Sequence, residues 1–292
     1  MNNEKGGQNV GNKLKKMPPP RNASRGKNEM IVERQSTETR SLRCCREWCY
    51  LSRAGVVAFT LAEVLITLGI IGVVAALTMP ALIANHEKKV TVTGLKKVYS
   101  ELSNMIKLSE NENGEMATWD FPKSEGNSEE AIEFLNKYYA PYTNAAKVYS
   151  GSDMRRLGYS FQNMSKTHTF RNATGMVLSD GTVITIHPNT NNSFIWLFAD
   201  INGFKKPNRI GRDVFVFDIY KWYDNKYRLK LWGEMYNKDY LSKDPQIPEE
   251  EYESNSGYYE CNKNNKHGHY SGFYCGAVIQ KDGWEIKDDY PW

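Results

Sequence analysis

The chain has 292 residues, enough for one domain or two small ones, with 40% hydrophobic and 25% charged residues. That balance is ordinary for a soluble protein, so any apolar run must be local. The formal charge of +4 is uneven: residues 1–58 carry 12 Lys/Arg and five Asp/Glu, a net of +7, and the remainder carries 26 and 29, a net of −3. The basic head lacks interleaved aromatics and a folding pattern, so nucleic acid is not an expected direct partner.

Residues 1–58 are rich in Asn, Lys, Arg, Ser and Pro, and MPPPRNASRGKN has no period that could bury a face. From Phe59 to Ile83 the chain is apolar except for Glu63 and scattered Thr and Gly. About 20 such residues cross a hydrocarbon core of about 30 Å as a helix. A basic flank before an apolar span points to a cytoplasmic N-terminal side. The pattern then turns amphipathic over 84–112. Leu95, Val98, Leu102 and Met105, widened by Tyr99 and Ile106, form one stripe, and Lys96, Lys97, Glu101 and Lys107 form the opposite face. Pro80 should kink this helix, Gly94 weakens it, and NENGE at 111–115 ends it. One helix of about 50 residues, roughly 75 Å long, therefore starts in a membrane and ends in solvent.

Residues 113–292 read as a globular α+β domain. SEEAIEFLNKYYAPY predicts a short helix ended by Pro141. GMVLSDGTVITIH predicts a hairpin around Asp180-Gly181. Strands are expected at 194–203, 213–220 and 226–233, and a last one after Cys275.

The segment AFTLAEVLITLGIIGVVAALTMP resembles the N-terminal signature of type IV pilins and of the pseudopilins of type II secretion. The resemblance implies cleavage by prepilin peptidase between Ala58 and Phe59, removal of 1–58 as a leader, and N-methylation of Phe59. The family usually has Gly where Ala58 stands. Glu63 takes the place of the family's acidic residue, which pairs with the terminal amine of a neighbouring subunit, and Pro80 that of its helix-kinking proline. Gly72 and Ala76, four apart, offer a small-residue face for close helix contact.

A second resemblance covers LSDGTVITI, ADINGFKKPNRIGRDVFVFDI and SGFYCGAVIQKDGWEI, which look like the globular part of a bacterial pseudopilin-like group. The implied fold is a lollipop: a long N-terminal helix, membrane-embedded in its first half, packed on a C-terminal antiparallel sheet. The implied setting is the bacterial inner membrane, spanned once, with the C-terminal domain outside. The implied partners are membrane lipid, the prepilin peptidase, an inner-membrane assembly platform, and other pilins or pseudopilins in a helical fibre. Two other readings stay open: a minor tip pilin that binds a ligand, and an anchored domain that never polymerises.

Asp200, Asn202 and Asp213 are oxygen donors of the kind Ca2+ takes, and major pseudopilins bind calcium in a C-terminal loop. The spacing is not that of an EF-hand, and Asx side chains bonding their own backbone explain the same residues. Cys261 and Cys275 enclose His267 and His269. An oxidising compartment favours a disulfide between them; a zinc site of two thiolates and two imidazoles is the alternative. Cys44, Cys45 and Cys49 precede the implied cut. Trp222, Tyr223, Tyr227, Trp232, Tyr236 and Tyr240 are either a stacking platform or sheet core. No nucleophile elbow, zinc-protease motif or phosphate loop occurs, so the chain reads as a substrate of processing enzymes, not as an enzyme.

Overall fold

A computed structural model of the chain describes residues 59–123, 128–144, 146–189, 194–221, 226–242, 259–264 and 269–292. The chain divides into two units, Met1–Phe59 and Thr60–Trp292, and every element below belongs to the second.

Helix α1 runs over Leu61–Asn113 without interruption, through Pro80. Thr60 caps it: its hydroxyl accepts from the Glu63 backbone N–H, and the Glu63 carboxylate accepts in return from the Thr60 backbone. This reciprocal capping box satisfies two of the N–H groups that every helix start leaves over. At the other end Gly114 takes φ 81° and donates its N–H to the Glu110 carbonyl.

The two halves of α1 have opposite surroundings. Through Ile83 its large apolar side chains lie exposed; Ile71 is 63% accessible and Leu77 75%. From Val92 onward the expected stripe is buried, with Leu95 and Leu102 at 0% and Val98 at 1%. Tyr99 widens the stripe by stacking on Phe217, ring centroids 5.8 Å apart. Gly94 has a packing reason: a Cβ there would sit 3.1 Å from Ile201 Cδ1, so its absence lets the chain after β6 lie close to the helix.

The main sheet is antiparallel throughout. Its six strands are β1 (Lys147–Tyr149), β4 (Gly175–Val177), β5 (Val183–Asn189), β6 (Phe194–Asp200), β7 (Val214–Lys221) and β8 (Tyr227–Leu231), side by side in that order. Strand alternation sends Ile184, Ile186, Leu197, Ala199, Phe215, Phe217 and Ile219 into the core beneath α1. The expected hairpin joins β4 to β5. Asp180 accepts from the Thr182 N–H at 2.9 Å and pairs with Lys97, which ties the turn to α1.

The second face of the sheet is also covered. Val183, Trp196, Phe198, Val214 and Val216 meet Phe161 and Phe170, from the small β2–β3 pair (Phe161–Gln162, Thr169–Phe170), and Phe273. Helix α2 (Ser128–Tyr138) falls where the sequence places it, and α3 (Gly151–Arg156) and α4 (Lys238–Ser242) are short.

One expectation is overturned. The segment after Cys275 is not a strand but helix α5, Cys275–Lys281. Cys275, Gly276, Ala277, Val278 and Ile279 are all buried. A short run with every residue inside carries no alternation, so its β-branched pair misleads.

Candidate functional site

The residues to which the resemblance assigns processing and assembly fall, from Phe59 onward, at the start of α1 and along its exposed half. Ala58 lies outside the described residues, as do Cys44, Cys45 and Cys49. Phe59 is 79% accessible. The Glu63 carboxylate receives the Thr60 N–H at 2.8 Å and the Thr60 hydroxyl at 2.9 Å. Its polar demand is thus met one turn away, within its own chain. Gly72 and Ala76 lie on one open face, and a Cβ at Gly72 would meet nothing within 4 Å. Pro80 has no N–H to offer the Ala76 carbonyl four residues back. The Thr78 hydroxyl bonds the Val74 carbonyl at 2.9 Å, so that polar group needs no outside partner.

The loop from β6 to β7 gathers Asp200, Asn202 and Asp213. Asp200, fully buried, accepts from the Asn202 N–H at 3.2 Å and the Tyr159 hydroxyl at 3.1 Å. Asp213 accepts from the Asn208 N–H at 2.8 Å, the Arg209 N–H at 2.6 Å and Asn202 Nδ2 at 3.2 Å. Both carboxylates therefore stitch loop backbone, as Asx chemistry predicts. Gly203 holds φ 69° with its α-carbon against the Gly181 carbonyl, leaving no room for a side chain. Burial, with Asp213 second, pushes the Asp200 carboxyl up to about 8, and burial raises Asp213 as well. Asn202 Oδ1 and Asn208 Oδ1 are buried and without a hydrogen-bond partner among the described residues. Two carboxylates and two unspent amide oxygens make an all-oxygen donor set of the kind a hard cation takes. Among the described residues no cluster of three or more His, Cys, Asp or Glu is placed to hold a metal.

Cys261 and Cys275 are joined, their Cα atoms 4.7 Å apart. The zinc alternative loses its thiolates to that bond. His267 lies outside the described residues, and His269 stacks on His168 with centroids 4.1 Å apart. Replacing both cysteines by alanine is expected to lower stability by about 3 kcal/mol, the chain-entropy value for a loop of this size. Thermal unfolding of the double variant checks this; an unchanged midpoint contradicts it.

The described aromatics form no platform on one face. Tyr227 stacks on Phe121, Trp232 meets Trp196 and Tyr259 edge-on, and Tyr236 leans on Tyr274. Trp222, Tyr223 and the Tyr240 side chain lie outside the described residues. The sequence reading missed a cleft of about 510 Å³ where β4 stops short of β5, lined by Phe161, His168, Phe170, His187 and His269. Its histidines come from three distant segments, and no spacing could have united them.

The described parts define an α+β protein: a long helix, apolar and exposed in its first half, packed on an antiparallel sheet in its second. By length and composition that helix can span a membrane. The chain belongs to a family of unknown function, DUF6613, whose profile matches residues 81–292 and so begins directly after Pro80. No curated protein and no solved structure matches the chain.

Proposed function

We propose that this chain is a structural subunit of an extracytoplasmic fibre of the type IV pilus or type II secretion kind. One observation carries the reading: a single unbroken helix serves two environments. Its second half is core, with Leu95 and Leu102 sealed beneath the sheet, while its first half exposes apolar residues around one carboxylate.

Exposed apolar surface on this scale needs a cover, and the cover changes with state. Before assembly it is the inner membrane, crossed once with the domain outside. After assembly it is the same half-helix of neighbouring subunits. Prepilin peptidase would cut between Ala58 and Phe59, and the new amine at Phe59 would be methylated. Glu63 then answers to that amine on a neighbour. An intramembrane carboxylate costs roughly 2.5–3.5 kcal/mol. The Thr60 capping box offsets part of this in the lone subunit, and the intersubunit pair replaces it in the fibre. Gly72 and Ala76 would let helices approach closely. An assembly platform in the membrane would do the work, and the chain itself would catalyse nothing. The Asp200–Asp213 loop is proposed as a secondary Ca2+ site, with the Asn202 and Asn208 oxygens completing the donor set.

Cross-linking tests the packing. Gly72→Cys and Ala76→Cys place thiols on an open helix face. Oxidation in the native membrane should yield dimers and higher ladders from either variant. A thiol at exposed Ala117, beyond the far end of α1, should yield none. Ladders absent from both helix variants, in protein shown to be membrane-inserted, would favour an anchored domain that never polymerises.

A further inference from the structure

The loop after β6 does more than cap itself, for it descends along α1 to the level where the apolar half ends. Ile201 lies on Gly94. The Thr91 hydroxyl reaches the Arg212 carbonyl at 3.5 Å, and the Arg212 guanidinium bonds Glu87 at 3.1 Å while lying 5.0 Å over the Trp292 ring. A cleft of about 420 Å³ has His86, Glu87 and Val90 on one wall and Lys206 and Pro207 on the other. At 1.5 Å per residue, His86 is about 4.5 Å and Val90 about 10 Å beyond Ile83 along the axis. The headgroup zone of a bilayer is about 5–8 Å thick on each side.

The loop tip is Phe204-Lys205-Lys206-Pro207, and its last two residues line that cleft. Phe204 is 41% accessible although one edge rests on Tyr159, and the next three residues are exposed. Lys205, Lys206 and Lys89 have no acidic partner among the described residues, whereas Glu87 is held by Arg212 and Asp288 by Lys88. The C-terminal segment brings Glu285 and Asp288 to a separate cleft lined by Asn85, Lys88 and Lys89. The flank beneath the loop is therefore left with positive charge and one exposed ring.

We propose that Phe204, Lys205 and Lys206 form a foot that rests on the membrane surface, the lysines on anionic phospholipid headgroups and the phenyl ring in the interfacial layer. An aromatic ring beside unpaired lysines is the chemistry that an anionic lipid–water interface selects. This rests on the reading of α1 as a membrane span. The foot fixes how the domain stands over that span, and its release would accompany extraction into a fibre.

The test uses full-length chain with Cys44, Cys45 and Cys49 replaced by serine, reconstituted in phosphatidylcholine vesicles with or without phosphatidylglycerol. Nitroxides are attached at Phe204→Cys, at Val74→Cys within the span, and at Ala117→Cys beyond the far end of α1. Collision with oxygen against a water-soluble nickel chelate reports immersion. The expected result is a label at 204 shielded severalfold from the chelate relative to 117, with the shielding lost on removing phosphatidylglycerol or on Lys205→Ser/Lys206→Ser. A label at 204 as open to the chelate as 117, while 74 is shielded, overturns the foot and leaves the span standing. Chelate access at 74 overturns both together. Spin–spin broadening at 204 that disappears on dilution with unlabelled chain assigns the surface to a second copy and also overturns the proposal.

Discussion

Glu63→Val is expected to remove the chain from fibres while leaving its domain folded and its membrane insertion intact. Among the described residues its carboxylate hydrogen-bonds only Thr60, so no tertiary hydrogen bond is lost. Insertion should improve, because the substitution deletes a carboxylate that costs roughly 2.5–3.5 kcal/mol in the membrane. What disappears is the charge that would register one helix against the amine of the next. Assembly should fall at least tenfold, measured as chain in the sheared extracellular fraction against chain left in the membrane. Glu63→Gln keeps the shape and an acceptor for the Thr60 N–H. If Gln fails as Val does, charge is the requirement; if it assembles, capping suffices. Normal fibres from Glu63→Val would contradict the registration role.

The second large effect concerns the buried carboxylates. Asp200 is pushed up to about 8 by burial and by Asp213, and Asp218 to about 7, chiefly by burial. Both folded-state values lie above the ordinary 3.8 of the unfolded chain. The folded protein therefore holds protons that the unfolded chain releases. Their stabilising contribution is full below about pH 4 and is lost as pH rises through 7 to 8. His168 acts oppositely. Burial, with His269 second, lowers its value, so stability declines as pH falls below about 6.5.

Asp200→Asn should flatten the alkaline loss, since an amide keeps an oxygen for the Asn202 N–H and cannot ionise. The shift in Asp200 corresponds to about 6 kcal/mol at 1.36 kcal/mol per unit. Water entry and loop relaxation reduce this, and a gain of roughly 2 kcal/mol at pH 8 is expected. Urea unfolding at pH 5 and pH 8 checks it; equal slopes in variant and parent refute it. Calcium at pH 8 should restore the parent and leave Asp200→Asn unmoved. No calcium response from the parent would mean that turn chemistry alone holds this loop.

Much of this architecture is legible in the chain. The stretch NENGE at 111–115 marks the end of α1, and the apolar spacing from Leu95 to Ile106 identifies the buried stripe, whereas the Thr60–Glu63 capping box at its start emerges only in the fold. Asp180-Gly181 marks the hairpin, and β6, β7 and β8 stand out by composition. The pieces between residues 147 and 170 do not, because strands of two or three residues are too short to show a period. The second core was also hidden. Trp196, Phe198 and Val216 alternate with the first-face residues, so both faces are apolar and neither marks the solvent side. Asp200 and Asp213 could be singled out as loop oxygens, but their burial depends on Tyr159 and the hairpin turn, both distant in the chain. The contact between the loop and Glu87 is likewise tertiary, and nothing in FKKP alone places it beside α1.

The central claim is that a processed N-terminus at Phe59 begins the working protein. Intact and peptide mass spectrometry of chain extracted from membranes tests it most directly. The account predicts a mature chain that begins at N-methyl-Phe59 and lacks Cys44, Cys45 and Cys49. An unmethylated chain that retains residues before Phe59 would contradict it and leave an anchored domain outside the fibre class.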